Sequence, residues 1–208
     1  MHTRQSISNQ LKDKVIFYDF ETTGLNPYTD HIIEIGAVDN INETFSQFCS
    51  YDGNLSEKVT QITGITDEIL SKSGIDCKKA IINFINYINT YSEVCDNVIM
   101  IAHNNDAFDE LFLRFHIQKY CSNLSLPKNI IFIDSLRMAQ LTLTHMKYFS
   151  QPTLCKYYNI ENQHAHRAVY DAETLQKLFS VIVSRFYQKF GSSDFRFIKN
   201  KLQNPFLN

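Results

Sequence analysis

Phe17-Tyr18-Asp19-Phe20-Glu21-Thr22-Thr23-Gly24-Leu25-Asn26 places two acids in an otherwise apolar stretch and then breaks the chain at a Thr-Thr-Gly turn. From Lys14 to Glu21 the residues alternate as an extended segment does. Val15, Phe17, Asp19 and Glu21 therefore face one way, and Ile16, Tyr18 and Phe20 the other. Acids at i and i+2 on such a strand stand about 7 Å apart, from a rise of about 3.3 Å per residue. Buried carboxylates at that separation need a cation, and hard divalent ions, which take oxygen ligands, suit them. Taken alone, the pair is also explained by a solvated strand face beside a turn. The rest of the chain decides between the two readings.

Working outward, His31 to Val38 and Glu43 to Cys49 read as two further strands joined by a short Asp/Asn turn, completing an antiparallel meander. Ile81, Phe84, Ile85 and Ile88 fall at helical spacing, Val98 to Ala102 is a buried strand, and Asp109 to Phe115 is helical. Ile130 to Ile133 gives a fifth strand and Ser135 to Thr144 a helix. A long amphipathic helix then runs from about Ala168 to Gln188, with Leu175, Leu178, Phe179 and Ile182 on its apolar side. Strands first in a hairpin set and later alternating with helices predict an α/β fold: a mixed five-stranded sheet, strands 1–3 antiparallel, then parallel crossovers, flanked by helices.

The chain has 208 residues, 44% of them hydrophobic, and no Pro/Gly/Ser-rich linker. It reads as a single domain over 1–208, with a core from about 13 to 190 and a C-terminal tail over 191–208. No apolar run reaches the roughly 18 to 20 residues that span a bilayer. Met1 to Ser6 lack the apolar stretch of a secretory signal. A soluble, intracellular protein with no membrane partner is expected. Cysteines at 49, 77, 95, 121 and 155 are odd in number and scattered, with no C-x-x-C, and read as reduced packing residues. A net charge of −2 excludes a protein that holds nucleic acid by overall positive potential, so any polyanion must be gripped locally.

Two further acids stand where helices begin: Asp109, after the strand ending at Ala102, and Asp171, within Ala165-His166-Arg167-Ala168-Val169-Tyr170-Asp171-Ala172. Singly, each is explained by the attraction of a helix N-terminus for anions. His166 precedes Asp171 by five residues, which is about 140° on a continuous helix. It can share a site with Asp171 only from a preceding loop or a distorted first turn. A loop histidine beside a carboxylate cluster is well placed to accept a proton near neutral pH.

Three segments resemble, in order and spacing, the motifs of the DnaQ-like 3′-5′ exonucleases, the histidine subtype of the Asp-Glu-Asp-Asp superfamily, which includes proofreading and three-prime repair exonucleases. They are Asp19-Phe20-Glu21-Thr22-Thr23-Gly24-Leu25, His103-Asn104-Asn105-Asp106-Ala107-Phe108-Asp109-Glu110-Leu111-Phe112-Leu113, and His166-Arg167-Ala168-Val169-Tyr170-Asp171-Ala172. Ile32-Ile33-Glu34-Ile35-Gly36-Ala37, Ile62-Thr63-Gly64-Ile65-Thr66 and Asp134-Ser135-Leu136 are similar to supporting segments, and the likeness extends from about Val15 to Leu178. The resemblance implies a ribonuclease H-like fold. It also implies hydrolysis of phosphodiester bonds of DNA and/or RNA, releasing nucleoside 5′-monophosphates with two divalent ions, Mg²⁺ or Mn²⁺. By the same resemblance Asp19, Glu21 and Asp171 hold one ion, Asp19 bridges to a second that Asp109 supports, and His166 takes the proton from the attacking water. Thr22, Thr23 and Leu25 would line the terminal nucleotide, Phe108 and Ile62 would pack on its base or sugar, and His103 and Asn104 would contact the strand or the ion ligands. The implied partners are single-stranded or frayed 3′ ends. A homodimer through an exposed third strand, or a polymerase or repair complex, is left open as the assembly.

The second motif has one residue more between His-Asn and Phe-Asp than the commoner form, which makes Asp106 a rival to Asp109. Asp109 is preferred because it sits in Phe-Asp-x-x-Phe-Leu. Where the tyrosine subtype has Tyr, this chain has Arg167. His164-x-His166 admits a zinc-ligand reading, but that leaves Asp19 and Glu21 idle. A relative that binds without turnover is the alternative from another class, and the filled positions of all five motif residues argue against it. Asn204-Pro205-Phe206 resembles a short peptide ligand and is read as surface tail.

Overall fold

The alternation that begins at Lys14 becomes the central strand β1 (Lys14–Thr22) of a computed structural model that describes residues 13–162 and 165–204. Met1 to Ser6, His164, Pro205 and Phe206, which figured in the sequence reading, lie outside the described residues. β2 (Ile32–Asp39) and β3 (Thr44–Phe48) complete the antiparallel meander. β4 (Val98–Ala102) and β5 (Ile130–Asp134) add in parallel, and the spatial order is β3-β2-β1-β4-β5. The expected mixed five-stranded sheet is the one observed, with β3 at an edge.

Because side chains alternate along a strand, β1 feeds two hydrophobic layers. Ile16, Tyr18 and Phe20 pack with Ile81, Phe84, Ile85 and Ile88 of α3 (Cys77–Ser92) and with Phe112 and Leu113 of α4 (Asp109–Tyr120). Phe17 faces the opposite layer, with Leu175, Leu178, Phe179 and Ile182 of α7 (Ala168–Phe190). Asp19 and Glu21 share the parity of Phe17 and so point toward α7.

Two features of the sheet make room for a site. β4 stops pairing with β1 at Phe17, opposite Ile101, so the end of β1 runs beyond its parallel neighbour. The chain continues from β1 to β2 on one side while β4 lies on the other. Crevices at such reversals, outside the carboxyl ends of strands, are where open α/β sheets bind ligands. Gly36 of β2 pairs with Asp19, and a Cβ at Gly36 would meet the backbone of Ala168 and Val169 at 2.1 Å. Lacking that carbon, glycine lets the first turn of α7 rest directly on the sheet.

Several short helices escaped the sequence reading: α1 (Glu57–Thr63), α2 (Asp67–Ser73) and α6 (Gln151–Tyr158). Each is too short to show a sustained apolar period and depends on its cap, from Ser56, Thr66 and Ser150 respectively, and on packing. The helix read as Ser135 to Thr144 is α5 (Ser135–Thr142). The stretch 191–208, read as a tail, contains α8 (Phe195–Gln203). Its Ile198 and Leu202 are buried in the α7 layer, and the Leu202 carbonyl accepts from Arg137 Nη2 at 2.7 Å. All five cysteines are free thiols, with Cys49, Cys121 and Cys155 buried. Among the described residues no helix is long and apolar enough to cross a membrane.

Candidate active site

Asp19 and Glu21 rise from the overhanging end of β1, and Asp171 from the first turn of α7. One carboxylate oxygen from each lies within 4.8 Å of the others. Asp19, Asp171 and His166 open onto a cleft of about 870 Å³ whose other lining includes Lys147, Tyr148, Phe149, Gln151 and Lys156. Asp171 is held from three directions. Asn162 Nδ2 donates to its Oδ1 at 2.7 Å, the His166 amide donates to its Oδ2 at 2.7 Å, and Gln151 Nε2 donates to its backbone carbonyl at 3.0 Å. His166 precedes α7 with a φ of 66°, so its ring leaves the chain from a sharp bend and not from the helix. That is the loop placement its spacing to Asp171 required.

Asp109 opens α4 and is buried, and one of its oxygens accepts from the Phe20 amide at 3.2 Å. That amide lies past the last β1–β4 pair, so a helix-borne acid closes the sheet edge that β4 leaves open. Its rival Asp106 turns elsewhere, to Arg137 Nη1 at 2.6 Å.

Among the described residues none of Asp19, Glu21, Asp109 or Asp171 forms an ion pair. Burial, then repulsion from Asp109, Glu21 and Asp171, holds the Asp19 carboxyl well above the usual carboxylate range. Burial, then Asp171, Glu34 and Asp109, pushes Glu21 up to about 8. Burial pushes Asp109 to about 8 against the opposing Phe20 amide. Burial also raises Asp171, with Asn162 and the His166 amide working the other way. A close set of oxygen donors with too little counter-charge is what a hard dication neutralises, so these residues fit divalent metal ions.

This charge balance predicts an unusual pH response in EDTA-treated protein. Folded-state values of about 8 for Glu21 and Asp109, against ordinary values of 4.5 and 3.8, mean that the folded chain keeps protons the unfolded chain releases. Their contribution to stability is present below pH ~4 and is lost as pH rises through about 8. At about 1.4 kcal/mol per group per pH unit, the metal-free protein should lose up to about 7 kcal/mol between pH 5 and pH 8, or roughly 15 °C or more in Tm, and Mg²⁺ or Mn²⁺ should flatten the decline. A Tm that rises over that interval in EDTA would contradict the assignment.

Of the residues expected to touch substrate, His103 and Asn104 line the cleft, whereas Thr22, Thr23, Leu25, Ile62 and Phe108 are not part of that lining. The His103 ring is engaged on both sides. Burial lowers its basicity, so the neutral ring donates from Nε2 to the Phe149 carbonyl at 2.8 Å and accepts at Nδ1 from Ser135 Oγ at 2.9 Å. It thereby ties the cleft-lining segment around Phe149 to α5. Thr22 Oγ1 donates to the Gly24 carbonyl at 2.5 Å and Thr23 Oγ1 accepts from the His31 amide at 3.0 Å, so both shape the turn after β1. Phe108 packs on Phe112 at 4.8 Å between centroids. Leu25 and Ile62 are 82% and 46% exposed. The sequence reading missed Gln151, Asn162, Lys147 and Lys156, which belong to no acid motif. It quoted Glu34 and Arg167 without a role.

A sequence model of the family RNase_T, described as exonuclease, matches residues 16–179. The chain belongs to the RNase_T exonuclease family. The chain is 32% identical over 199 residues to the DNA polymerase III PolC-type of Ureaplasma parvum, a match covering 92% of the chain and 13% of that polymerase. It is 31% identical over 166 residues to the PolC-type polymerase of Bacillus subtilis strain 168, covering 78% of the chain and 11% of the polymerase. The chain therefore spans only a small part of the length of these curated relatives. Among solved structures it superimposes on E. coli exonuclease I in complex with an oligonucleotide with a TM-score of 0.70 and 20% identity, covering 86% of this chain and 43% of that one. On exonuclease I from Methylocaldum szegediense the TM-score is 0.67 with 18% identity, covering 88% and 42%. At these identities the likeness is one of fold, and that fold is ribonuclease H-like. The family depends on divalent metal ions, and its carboxylate cluster is present here.

Proposed function

We propose that the chain is a 3′-5′ exonuclease that hydrolyses phosphodiester bonds of DNA and releases nucleoside 5′-monophosphates. The observation that carries this reading is the convergence of Asp19, Glu21 and Asp171 within 4.8 Å at a cleft that His166 also lines. Asp19, Glu21 and Asp171 hold the metal ions, and Asp109 supports the set from its place against the Phe20 amide. Two such ions, Mg²⁺ or Mn²⁺, supply Lewis-acid stabilisation of the attacking and leaving oxygens when bound. His166, exposed at the cleft and free of the helix, takes the proton of the attacking water. Lys147 and Lys156 are the lysines of the cleft lining and draw in the phosphate backbone. Tyr148, 63% exposed beside Lys147, offers a ring face on which a base can stack. None of these contacts reads a base edge, which suits a sequence-tolerant enzyme.

DNA is favoured because the curated relatives are DNA polymerases and a solved neighbour is a complex with single-stranded DNA. The test is to incubate 5′-labelled single-stranded and duplex DNA and RNA with Mg²⁺ or Mn²⁺. A ladder that shortens from the 3′ end of DNA and vanishes with EDTA is the expected result. Release of the label as a mononucleotide at once would reverse the polarity. Binding without cleavage would make the chain an inert relative.

A further inference from the structure

Glu34 is a carboxylate that the proposed reaction does not use, yet it is 0% exposed and pairs across the ladder with Glu21. Its oxygens are heavily engaged. Arg167 donates from Nε at 3.1 and 3.3 Å and from Nη2 at 3.0 Å, and the Ala168 amide donates at 3.2 Å. Arg167 immediately precedes α7 and provides no side-chain cap of its own, so an acid from the sheet caps the first amide of that helix. Gly36, on the same strand, opens the gap in which the backbone of Ala168 and Val169 lies. The Arg167 guanidinium also sits 5.0 Å from the centre of the Phe48 ring. A charged fork and a glycine gap therefore seat the end of α7 that carries Asp171, with His166 on its approach.

We propose that Glu34 and Arg167 form a positioning clamp that sets the separation between Asp171 on α7 and the Asp19–Glu21 pair on β1, and with it the ability of the three carboxylates to take up one divalent ion together. The inference rests on reading this cluster as an ion-holding centre. Burying the Glu34 carboxylate beneath a partly exposed Arg167 is costly in desolvation, and apolar side chains of similar volume would attach helix to sheet as firmly. What they would not do is define its height and rotation, because only the planar fork makes several directed bonds to one carboxylate. Neither residue touches substrate or reacting atoms, so both are positioning residues.

The test is Mn²⁺ titration of the 208-residue chain, read by the electron paramagnetic resonance of free Mn²⁺, for the parent, Glu34→Gln, Arg167→Met and the double variant. Tm is recorded for each. If the pair acted only through its field, losing the acid would weaken Mn²⁺ binding and losing the cation would tighten it. The clamp requires both single variants to bind more weakly, by about 10- to 100-fold, as removal of groups that orient ligands does. The double variant should lose little beyond the worse single, since both break one contact. Shifts of opposite sign, or lower Tm with Mn²⁺ affinity within about twofold of the parent, overturn the clamp. If Arg167→Met does not fold, Arg167→Lys keeps the charge and loses the fork; weaker binding there supports the clamp, and parity with the parent overturns it. A parent whose Mn²⁺ binding does not depend on Asp19 overturns the ion-centre reading itself, and the clamp falls with it.

Discussion

Asp19→Asn is expected to lower kcat by about 10³- to 10⁴-fold, the equivalent of roughly 4 to 5 kcal/mol of transition-state stabilisation, while raising the Tm of the EDTA-treated protein. The two effects have one cause. Asp19 stands at the centre of the cluster, with Asp109, Glu21 and Asp171 all adding to the cost of its charge. Asn keeps the shape and removes that charge, so the metal-free fold is relieved of repulsion at the moment the site loses an ion ligand. At pH 8 the gain should reach roughly 5 °C, on a scale of about 2 to 4 °C per kcal/mol for a domain of this size. Active sites commonly trade stability for function in this way. Single-turnover rates and thermal melts on the same preparations decide the matter. Residual turnover within tenfold of the parent, or a lower Tm in EDTA, would count against the central role of Asp19.

His166→Ala is expected to cost about 10² to 10⁴ in kcat, the usual contribution of a positioned general base. The backbone here makes the experiment clean. His166 holds a φ of 66°, where any residue with a Cβ is disfavoured, so Ala inherits the same conformational cost. The amide that donates to Asp171 Oδ2 survives the substitution, and Asp171 keeps its orientation. Asn accepts such a φ more readily, so His166→Asn separates ring chemistry from backbone strain. Both variants should lose activity to a similar degree, keep Mn²⁺ affinity within about twofold, and recover part of the rate when imidazole is added. An active His166→Asn would assign the role of this position to the chain bend and not to the ring.

Much of the site was legible because its signals are local. Period-two alternation along Lys14 to Glu21 aligned Asp19 with Glu21, and the apolar spacing from Ala168 onward placed Asp171 in a first turn. The angular argument that kept His166 off the helix needed only helix geometry. Less visible were elements whose stability is not their own. α8 carries Phe195, Ile198 and Leu202 at helical spacing, but nine residues are too few to hold a helix alone, and its burial depends on the α7 layer and on Arg137. The cleft lining around Phe149 owes its place to His103, whose ring was expected at the substrate and is bound instead to Ser135 and the Phe149 carbonyl.

By itself the sequence determined the order of the five strands and of the helices α3, α4, α5 and α7, the side of β1 that carries acid, and the family to which its motifs bear likeness, because each follows from neighbours a few positions apart or from short patterns. Only the tertiary structure decided that Asp109 meets the Phe20 amide while Asp106 pairs with Arg137, that β1 outruns β4 to open the crevice, and that Glu34 meets Arg167 across a sequence separation of 133 residues. Those outcomes depend on which buried polar groups find partners once the layers have closed, and no local pattern encodes that pairing.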